Sequence, residues 1–173
     1  RARESGYAWR LLERGVETAL GIPADRAAYS RLSCGRWVSD AFRLSLSHTK
    51  GACAAAVSSS EVGVDVELIR EPRSDSFPRR ALTKAEYREY ERLADGERVD
   101  FLIQKWTEKE ASYKARGDDV AFVPGTEPQA DGLHTEILEL SGRRYSLSVC
   151  AKNIEKLKII FFPSVNFTPE GRL

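Results

Sequence analysis

The chain alternates between segments with the apolar spacing of helices and segments with the alternation of strands. Apolar positions three or four residues apart predict helices over 6–20, 84–93 and 100–116, the last ending near Gly117. Thr83 followed by Glu86 is the pattern of a capping box, which marks the start of the second helix. Alternating or short apolar runs predict strands over 42–47, 52–57, 62–68, 133–140, 145–151 and 156–162.

Turn and loop residues separate these elements. Ser141 and Gly142 suit a hairpin turn between two of the strands. The polar, proline-containing stretch 70–78 predicts a mobile loop, and the tail from Pro163 is expected to be irregular. Helices combined with antiparallel strands predict the α+β class.

Two acidic residues stand out on the strand 62–68. Alternation places four apolar residues on one face and Asp65 and Glu67 on the other, about 7 Å apart. That spacing allows two carboxylates to converge on one hard cation, and Gly63 allows another element to approach the strand closely. An ordinary half-buried strand with solvated acids explains the same pattern, and the strand alone does not exclude it.

A second polar group lies on the helix 100–116. Glu110 falls four residues after Trp106 and therefore at the margin of the apolar stripe, where an unpaired carboxylate is costly. Lys114 lies one turn further on the same side. The alternative is a surface pair at i and i+4, an interpretation that suits Glu108 and Lys109 better than Glu110 and Lys114.

Three segments, taken in order, resemble the motifs of the 4′-phosphopantetheinyl transferase family. The segments are 63–67, which reads G-V-D-V-E; 106–117, which reads W-T-x-K-E-A-x-x-K-x-x-G; and the strand ending in Ser47 and His48. The strand 145–150 is also similar to a late strand of these enzymes. Order and spacing resemble the larger, pseudo-dimeric class, often called Sfp-like.

The resemblance implies a fold of two related α+β halves around a shared cleft. The halves would be 1–61, with the CoA-binding strand and helix, and 62–173, with the metal-binding strand and catalytic helix. Together they would form one structural unit, expected to act as a monomer. The first half is short for this class, as though an opening strand were absent.

The activity implied by the resemblance is transfer of the phosphopantetheine arm of coenzyme A to a serine of an acyl or peptidyl carrier protein. This is the holo-[acyl-carrier-protein] synthase reaction, which serves pathways such as fatty acid biosynthesis. Asp65, Glu67 and Glu110 would bind Mg²⁺, and Glu110 is also the candidate base. Lys114 would neutralise phosphate charge and contribute to catalysis.

Further residues are expected to contact coenzyme A or the carrier protein. Ser47 and His48 end a strand, where hydroxyl and imidazole can both donate to phosphate. Arg36, after Gly35, and Arg10, on the first helix, resemble basic residues that meet the cofactor in relatives, although each is equally explained as a surface charge. The basic residues expected to dock an acidic carrier protein are Arg70, Arg73, Arg79, Arg80 and Lys84. A charge run that serves only solubility explains them as well, and the acids Glu67, Glu71 and Asp75 dilute it.

Two other functions fit part of the pattern. A catalytically silent relative would bind coenzyme A or a carrier protein without transfer, but would have no evident use for three converging carboxylates. A Mg²⁺-dependent phosphohydrolase would use the same acids and cleave coenzyme A without an acceptor.

Composition narrows the setting of this activity. A net charge of +1 gives no general nucleic-acid footprint. Cys34, Cys53 and Cys150 lack metal-ligand spacing and are expected to be reduced thiols. No segment has the length of a membrane span and no signal peptide is visible, so a cytoplasmic protein without membrane partners is expected.

Overall fold

The computed structural model describes residues 2–21, 23, 29–32, 37–116, 122–127 and 132–161. Within these ranges the chain has the predicted mixture of helices and antiparallel strands, so the α+β class is confirmed. The elements in chain order are α1 (Ala2–Leu20), β1 (Tyr29–Arg31), β2 (Trp37–Ser39), β3 (Arg43–Thr49), β4 (Ala52–Ser58), β5 (Val62–Leu68), α2 (Phe77–Ala81), α3 (Lys84–Arg92), α4 (Asp95–Ala115), β6 (Leu133–Leu140) and β7 (Arg143–Ala151), followed by a 3₁₀ turn at Ile154–Lys156.

The described strands form three antiparallel sheets. β1 pairs with β2, β3 pairs with β4, and β7 lies between β5 and β6. The hairpin between β6 and β7 turns at Ser141 and Gly142, whose φ angles are 52° and 69°. Two consecutive positive φ values match a tight hairpin turn of the type predicted at this dipeptide. The arrangement in two related halves stays a prediction.

β3 and β5 are joined by side chains. On β3, the hydroxyls of Ser45, Ser47 and Thr49 face β5 and are called the hydroxyl row below. They accept hydrogen bonds from the backbone N–H groups of Val64, Val66 and Leu68, at 3.0, 3.2 and 3.5 Å respectively. The period of two in both strands keeps the row in register, so the β3–β4 pair is attached to the three-stranded sheet along the length of β5.

The two largest clusters of buried apolar residues lie on different faces of the sheets. α1 buries Leu12 and Val16 against Phe42 and Leu44 at the β3–β4 pair. The second cluster consists of alternate residues of β5 and β7, with the alanines of β4 packed against it; it contains Val62, Val64, Val66, Tyr145, Leu147 and Val149. This alternation leaves the opposite face of β5, which carries Asp65 and Glu67, for helix α4.

Gly63 permits the close packing of α4 on β5. A Cβ atom built at Gly63 would lie 1.9 Å from the carbonyl oxygen of Ala111 and 2.5 Å from the amide nitrogen of Ala115. Both atoms belong to the backbone of α4, so neither can rotate away as a side chain would. The expected close approach at Gly63 is therefore confirmed, and its partner is the helix that carries Glu110 and Lys114.

Most predicted elements are confirmed, including α1, β3 to β7 and the capping box of α3. In that box Thr83 Oγ1 accepts from the N–H of Glu86 at 3.2 Å, and Glu86 accepts from the N–H of Thr83 at 2.7 Å. Helix α4 begins at Asp95, earlier than the predicted residue 100. The N-cap residue Ala94 has no side-chain acceptor for the first turn of the helix. The carboxylate of Glu97 accepts a hydrogen bond from the Ala94 N–H.

Two predictions near loops are wrong in part. The strand predicted over 156–162 is absent from its described residues, where a 3₁₀ turn ends at Lys156 and no strand follows through Phe161. Leu157 packs on the β5–β7 cluster without adding a strand to the sheet, whereas Ile160 and Phe161 are exposed, so the apolar run does not correspond to a buried strand. The loop predicted over 70–78 ends earlier, because Phe77 and Pro78 begin α2, and proline is well tolerated in a first helical turn.

Among the described helices, none combines the length and the apolar character needed to cross a bilayer. Cys53 is half-buried and Cys150 is buried, whereas Cys34 lies outside the described residues.

Replacing Gly63 by alanine is expected to lower the free energy of unfolding by at least about 3 kcal/mol, because the added methyl group would displace the backbone of α4. The measurement is urea denaturation followed by circular dichroism. Gly96→Ala is the matched control on α4, since nothing lies within 4 Å of a Cβ built there. Equal stability of the two variants would contradict the packing described for Gly63.

Candidate active site

Six of the eight predicted site residues line one pocket of about 320 Å³ between β3, β5 and α4. The lining residues are Leu46, Ser47, His48, Asp65, Glu67, Trp106, Glu110 and Lys114. β3 contributes the Ser-His end of the strand, β5 contributes the two acids, and α4 contributes one carboxylate, one ammonium group and an indole. Segments far apart in the sequence therefore meet at one place.

Asp65 is the most enclosed carboxylate of the pocket, with a residue exposure of 4%. Its Oδ1 atom accepts from the Ser47 hydroxyl at 2.7 Å and from Lys114 Nζ at 2.6 Å. Its Oδ2 atom is buried and has no hydrogen-bond partner among the described residues. A buried carboxylate oxygen without a partner is costly, so this oxygen marks a position where a cation or donor would be stabilising.

Glu67 is held by the last hydroxyl of the row. Thr49 Oγ1 donates to Glu67 Oε2 at 2.9 Å. Burial raises the pKa of Glu67, the negative charge of Asp65 raises it further, and the Thr49 hydrogen bond and the Lys114 charge oppose this shift. Glu67 therefore lies where its negative charge is only partly compensated.

Glu110 faces the same two acids from helix α4. Its carboxylate is half-buried and makes no hydrogen bond to the described part of the chain. Burial raises the pKa of Glu110; the charge of Lys114 counteracts this, while Asp65 and Glu67 add to it. Three carboxylates thus share one pocket with a single ammonium group among its lining residues.

This donor set fits a hard divalent cation. Oxygen ligands from carboxylates are what Mg²⁺ prefers, and the unpartnered Asp65 oxygen supplies one directly. The site is not preformed: among the described residues, no three His, Cys, Asp or Glu side chains lie close enough together to form a metal-binding group. The metal assignment stays a prediction.

The residues predicted to contact the cofactor differ in their exposure and in whether they line the pocket. His48 is exposed at the pocket, whereas Ser47 is buried and its one proton is used by Asp65. Lys114 is half-buried and donates to Asp65 and to the carbonyl oxygen of Val64, at 3.2 Å. Arg10 is half-buried on α1 and does not line the pocket, and Arg36 lies outside the described residues. The role of each in binding coenzyme A stays a prediction.

The other sides of α4 are fixed by buried polar contacts that the sequence analysis missed. Lys109, expected on the surface, is 3% exposed and donates to Ala81 O at 2.9 Å and to the Glu86 carboxylate. The surface interpretation was wrong because α2 and α3 cover this side of the helix. The signal available in the sequence was Glu86 itself, since a capping carboxylate with a second oxygen lone pair can accept a further donor.

A cluster of hydroxyls anchors α4 to the sheet on its next face. Thr107 Oγ1 lies 2.8 Å from the hydroxyl oxygens of both Ser146 and Ser148 on β7, and Ser148 lies 2.9 Å from Thr135 Oγ1 on β6. Thr107, Ser146 and Ser148 are all fully buried. Nothing in their spacing indicates this cluster, because it depends on how the helix docks on the sheet.

Comparison with known proteins identifies the family. Residues 61–160, more than half of the chain, match the family model described as the 4′-phosphopantetheinyl transferase superfamily. The matched range contains Asp65, Glu67, Glu110 and Lys114, which the fold brings to one pocket. The chain therefore belongs to the 4′-phosphopantetheinyl transferase superfamily.

Two curated relatives match parts of the chain. It is 33% identical over 89 residues to the 4′-phosphopantetheinyl transferase HetI of Nostoc sp., which covers 50% of this chain and 37% of the relative. It is 38% identical over 61 residues to the holo-[acyl-carrier-protein] synthase of Mycoplasma genitalium, covering 31% of this chain and 54% of that protein. The matched segments thus span only part of the length of either relative.

Replacing Lys109 by methionine is expected to lower the free energy of unfolding by about 3 kcal/mol or more, because the Glu86 carboxylate would lose its buried counter-charge. Thermal and urea unfolding would measure the change. Lys105→Met is the control on the same helix: the Lys105 side chain is 30% exposed, against 2% for Lys109, so a smaller loss is expected. Similar losses in both variants would refute a special role for Lys109.

Proposed function

We propose that this chain is a 4′-phosphopantetheinyl transferase that moves the phosphopantetheine arm of coenzyme A to a serine of an acyl or peptidyl carrier protein. The observation that supports it most strongly is the meeting of Asp65, Glu67, Glu110 and Lys114 in one pocket, with His48 exposed beside them. The names of the two relatives agree with this reaction.

The metal ligands in this proposal are Asp65, Glu67 and Glu110. Their carboxylates are suited to Mg²⁺, and the buried Asp65 oxygen has no other partner among the described residues. When bound, Mg²⁺ would supply positive charge to the pyrophosphate of coenzyme A. It would also relieve the repulsion that helps to raise the pKa values of Glu67 and Glu110.

The remaining cationic and donor groups would hold the phosphates. Lys114 has an ammonium group with three donor positions, and two of them are used by Asp65 and Val64. The third is available to a phosphate oxygen. His48 is better suited than Ser47 to donate to phosphate, since the Ser47 proton already goes to Asp65. Fixed positive charge next to the pyrophosphate would stabilise the negative charge that grows on the leaving group.

The transfer itself exchanges one phosphorus–oxygen bond for another. The serine oxygen of the carrier protein bonds to the phosphorus that carries pantetheine, and the bond from that phosphorus to the bridging oxygen of the pyrophosphate breaks. The electron pair leaves with 3′,5′-adenosine bisphosphate. Glu110 is the proposed acceptor of the serine proton, because its carboxylate lines the pocket and makes no hydrogen bond to the described residues.

The carrier protein would dock on the basic surface beside the pocket. This surface follows β5 and runs over α2 to the start of α3, and all of its members are exposed; they are Arg70, Arg73, Arg79, Arg80 and Lys84. Arg79 lies over the ring of Tyr87, with its guanidinium carbon 4.9 Å from the ring centroid, which limits its mobility. A basic face of this kind favours association with an acidic partner.

The division into halves 1–61 and 62–173 is part of the same proposal, as is the larger, pseudo-dimeric class. It is supported by the hydroxyl row, which joins β3 of the first half to β5 of the second. In this arrangement the first half provides His48 and the second provides the acids, so the pocket requires both.

Glu110→Gln is expected to lower the rate of phosphopantetheine transfer at least about a hundredfold, because it removes one metal ligand and the proposed base. The measurement is intact-mass spectrometry of an apo carrier protein incubated with coenzyme A and Mg²⁺, with a chelated sample expected to show no transfer. Glu108→Gln is the matched control, since Glu108 pairs with Lys105 outside the pocket.

The alternative functions give different results in the same experiment. A silent binding protein would bind coenzyme A but add no mass to any carrier protein. A phosphohydrolase would release 3′,5′-adenosine bisphosphate in the absence of a carrier. Full activity of Glu110→Gln would contradict the proposed roles of this residue.

A further inference from the structure

The hydroxyl row contains two kinds of member. Ser45 accepts from the N–H of Val64 and makes no hydrogen bond to a pocket carboxylate. Ser47 and Thr49 each accept from the next N–H groups of β5 and also donate to a carboxylate of the pocket. Ser45 therefore only joins β3 to β5, whereas Ser47 and Thr49 join the two strands and also bind acidic side chains of the pocket.

Thr49 does not line the pocket, but Glu67, the residue whose carboxylate it binds, does. A hydroxyl has one proton, and the Leu68 N–H can only donate, so the proton of Thr49 goes to Glu67 Oε2. The β-branched side chain has few accessible χ1 rotamers. The direction of the hydrogen bond from Thr49 to Glu67 is thus fixed by the Leu68 N–H group and by the χ1 rotamer of Thr49.

This hydrogen bond restrains Glu67, which has the longer and more flexible side chain of the two acids on β5. Holding a glutamate in one rotamer before it binds lowers the conformational entropy lost on binding. Hydrogen bonds from neighbouring groups to ligating carboxylates have this effect in metal sites generally. One oxygen of Glu67 is engaged by Thr49, and the other is left for a cation.

We propose that Thr49 is a positioning residue for the divalent cation site and orients Glu67 through this hydrogen bond. The inference rests on the proposed function, because it takes Glu67 as a metal ligand. It assigns a role to a residue outside the pocket, and it predicts that the loss of one hydroxyl weakens cation binding without removing a ligand.

The test uses Mn²⁺ alone, titrated into the full chain and followed by electron paramagnetic resonance of the unbound ion. Thr49→Val keeps the shape of the side chain and removes the hydroxyl; it is expected to weaken Mn²⁺ binding about tenfold. Thr49→Ser restores the hydroxyl and is expected to bind within about twofold of the unmodified chain.

Ser45→Ala is the matched control for a purely structural effect. Like Thr49→Val, it removes the acceptor of one β5 N–H, so both variants are expected to lose stability. Ser45 touches no pocket carboxylate, and its replacement should leave the Mn²⁺ affinity unchanged. Unfolding curves on the same samples separate stability from binding, and in the transfer assay Thr49→Val should raise the Mg²⁺ concentration needed for half-maximal rate more than it lowers kcat.

Each result supports or overturns the inference. Weaker Mn²⁺ binding by Thr49→Val, with recovery in Thr49→Ser and none of the loss in Ser45→Ala, supports it. Equal affinity of Thr49→Val and the unmodified chain overturns it and leaves the proposed transferase function standing. Absence of Mn²⁺ binding by the unmodified chain overturns both the metal site and the role of Thr49.

Discussion

Hydrogen bonding along the second edge of β5 determines how β3 and β5 lie together. One edge of β5 is paired with β7. On the other edge the N–H groups of Val64 and Val66 make buried hydrogen bonds, and that of Leu68 makes a partly buried one. Buried backbone donors need partners, and here three side-chain hydroxyls of β3 supply them. This requirement brings the Ser-His end of β3 beside the acids of β5, so satisfying the backbone of β5 also assembles the pocket.

The charges that line the pocket are unfavourable for the stability of the folded chain. Asp65, Glu67 and Glu110 repel one another, and Lys114 is the single ammonium group that faces them from the described lining. Lys114 cannot neutralise three carboxylates. Burial raises the pKa values of Glu67 and Glu110, and repulsion from the neighbouring acids raises them further. Such a cluster is costly to stability and useful for binding a divalent cation, which is the trade expected where function sets the sequence.

Local signals explain which features the sequence could predict. The alternation of β5, the spacing of Glu110 and Lys114 and the Thr83–Glu86 capping box each depend on neighbours within one element, and all are found as expected. Lys109, Thr107 and Thr49 were not predicted to have roles. The contacts that join them to other elements are to residues at least 23, 39 and 18 positions away, respectively. The packing of α2 and α3 on α4, of α4 on β7 and of β3 on β5 brings these partners together.

Helix α4 links these buried contacts to the chemistry of the pocket. Glu110 lies between Lys109, which is bound to Glu86 on one side, and Ala111, which rests on Gly63 at the other. Thr107, one turn earlier, is bound to β7. A helix is stiff over one turn, so a small rotation of α4 would move Glu110 and Lys114 together relative to Asp65. The position of Glu110, the proposed base, is therefore set by residues that do not line the pocket, and the three buried contacts help to determine the geometry of that lining.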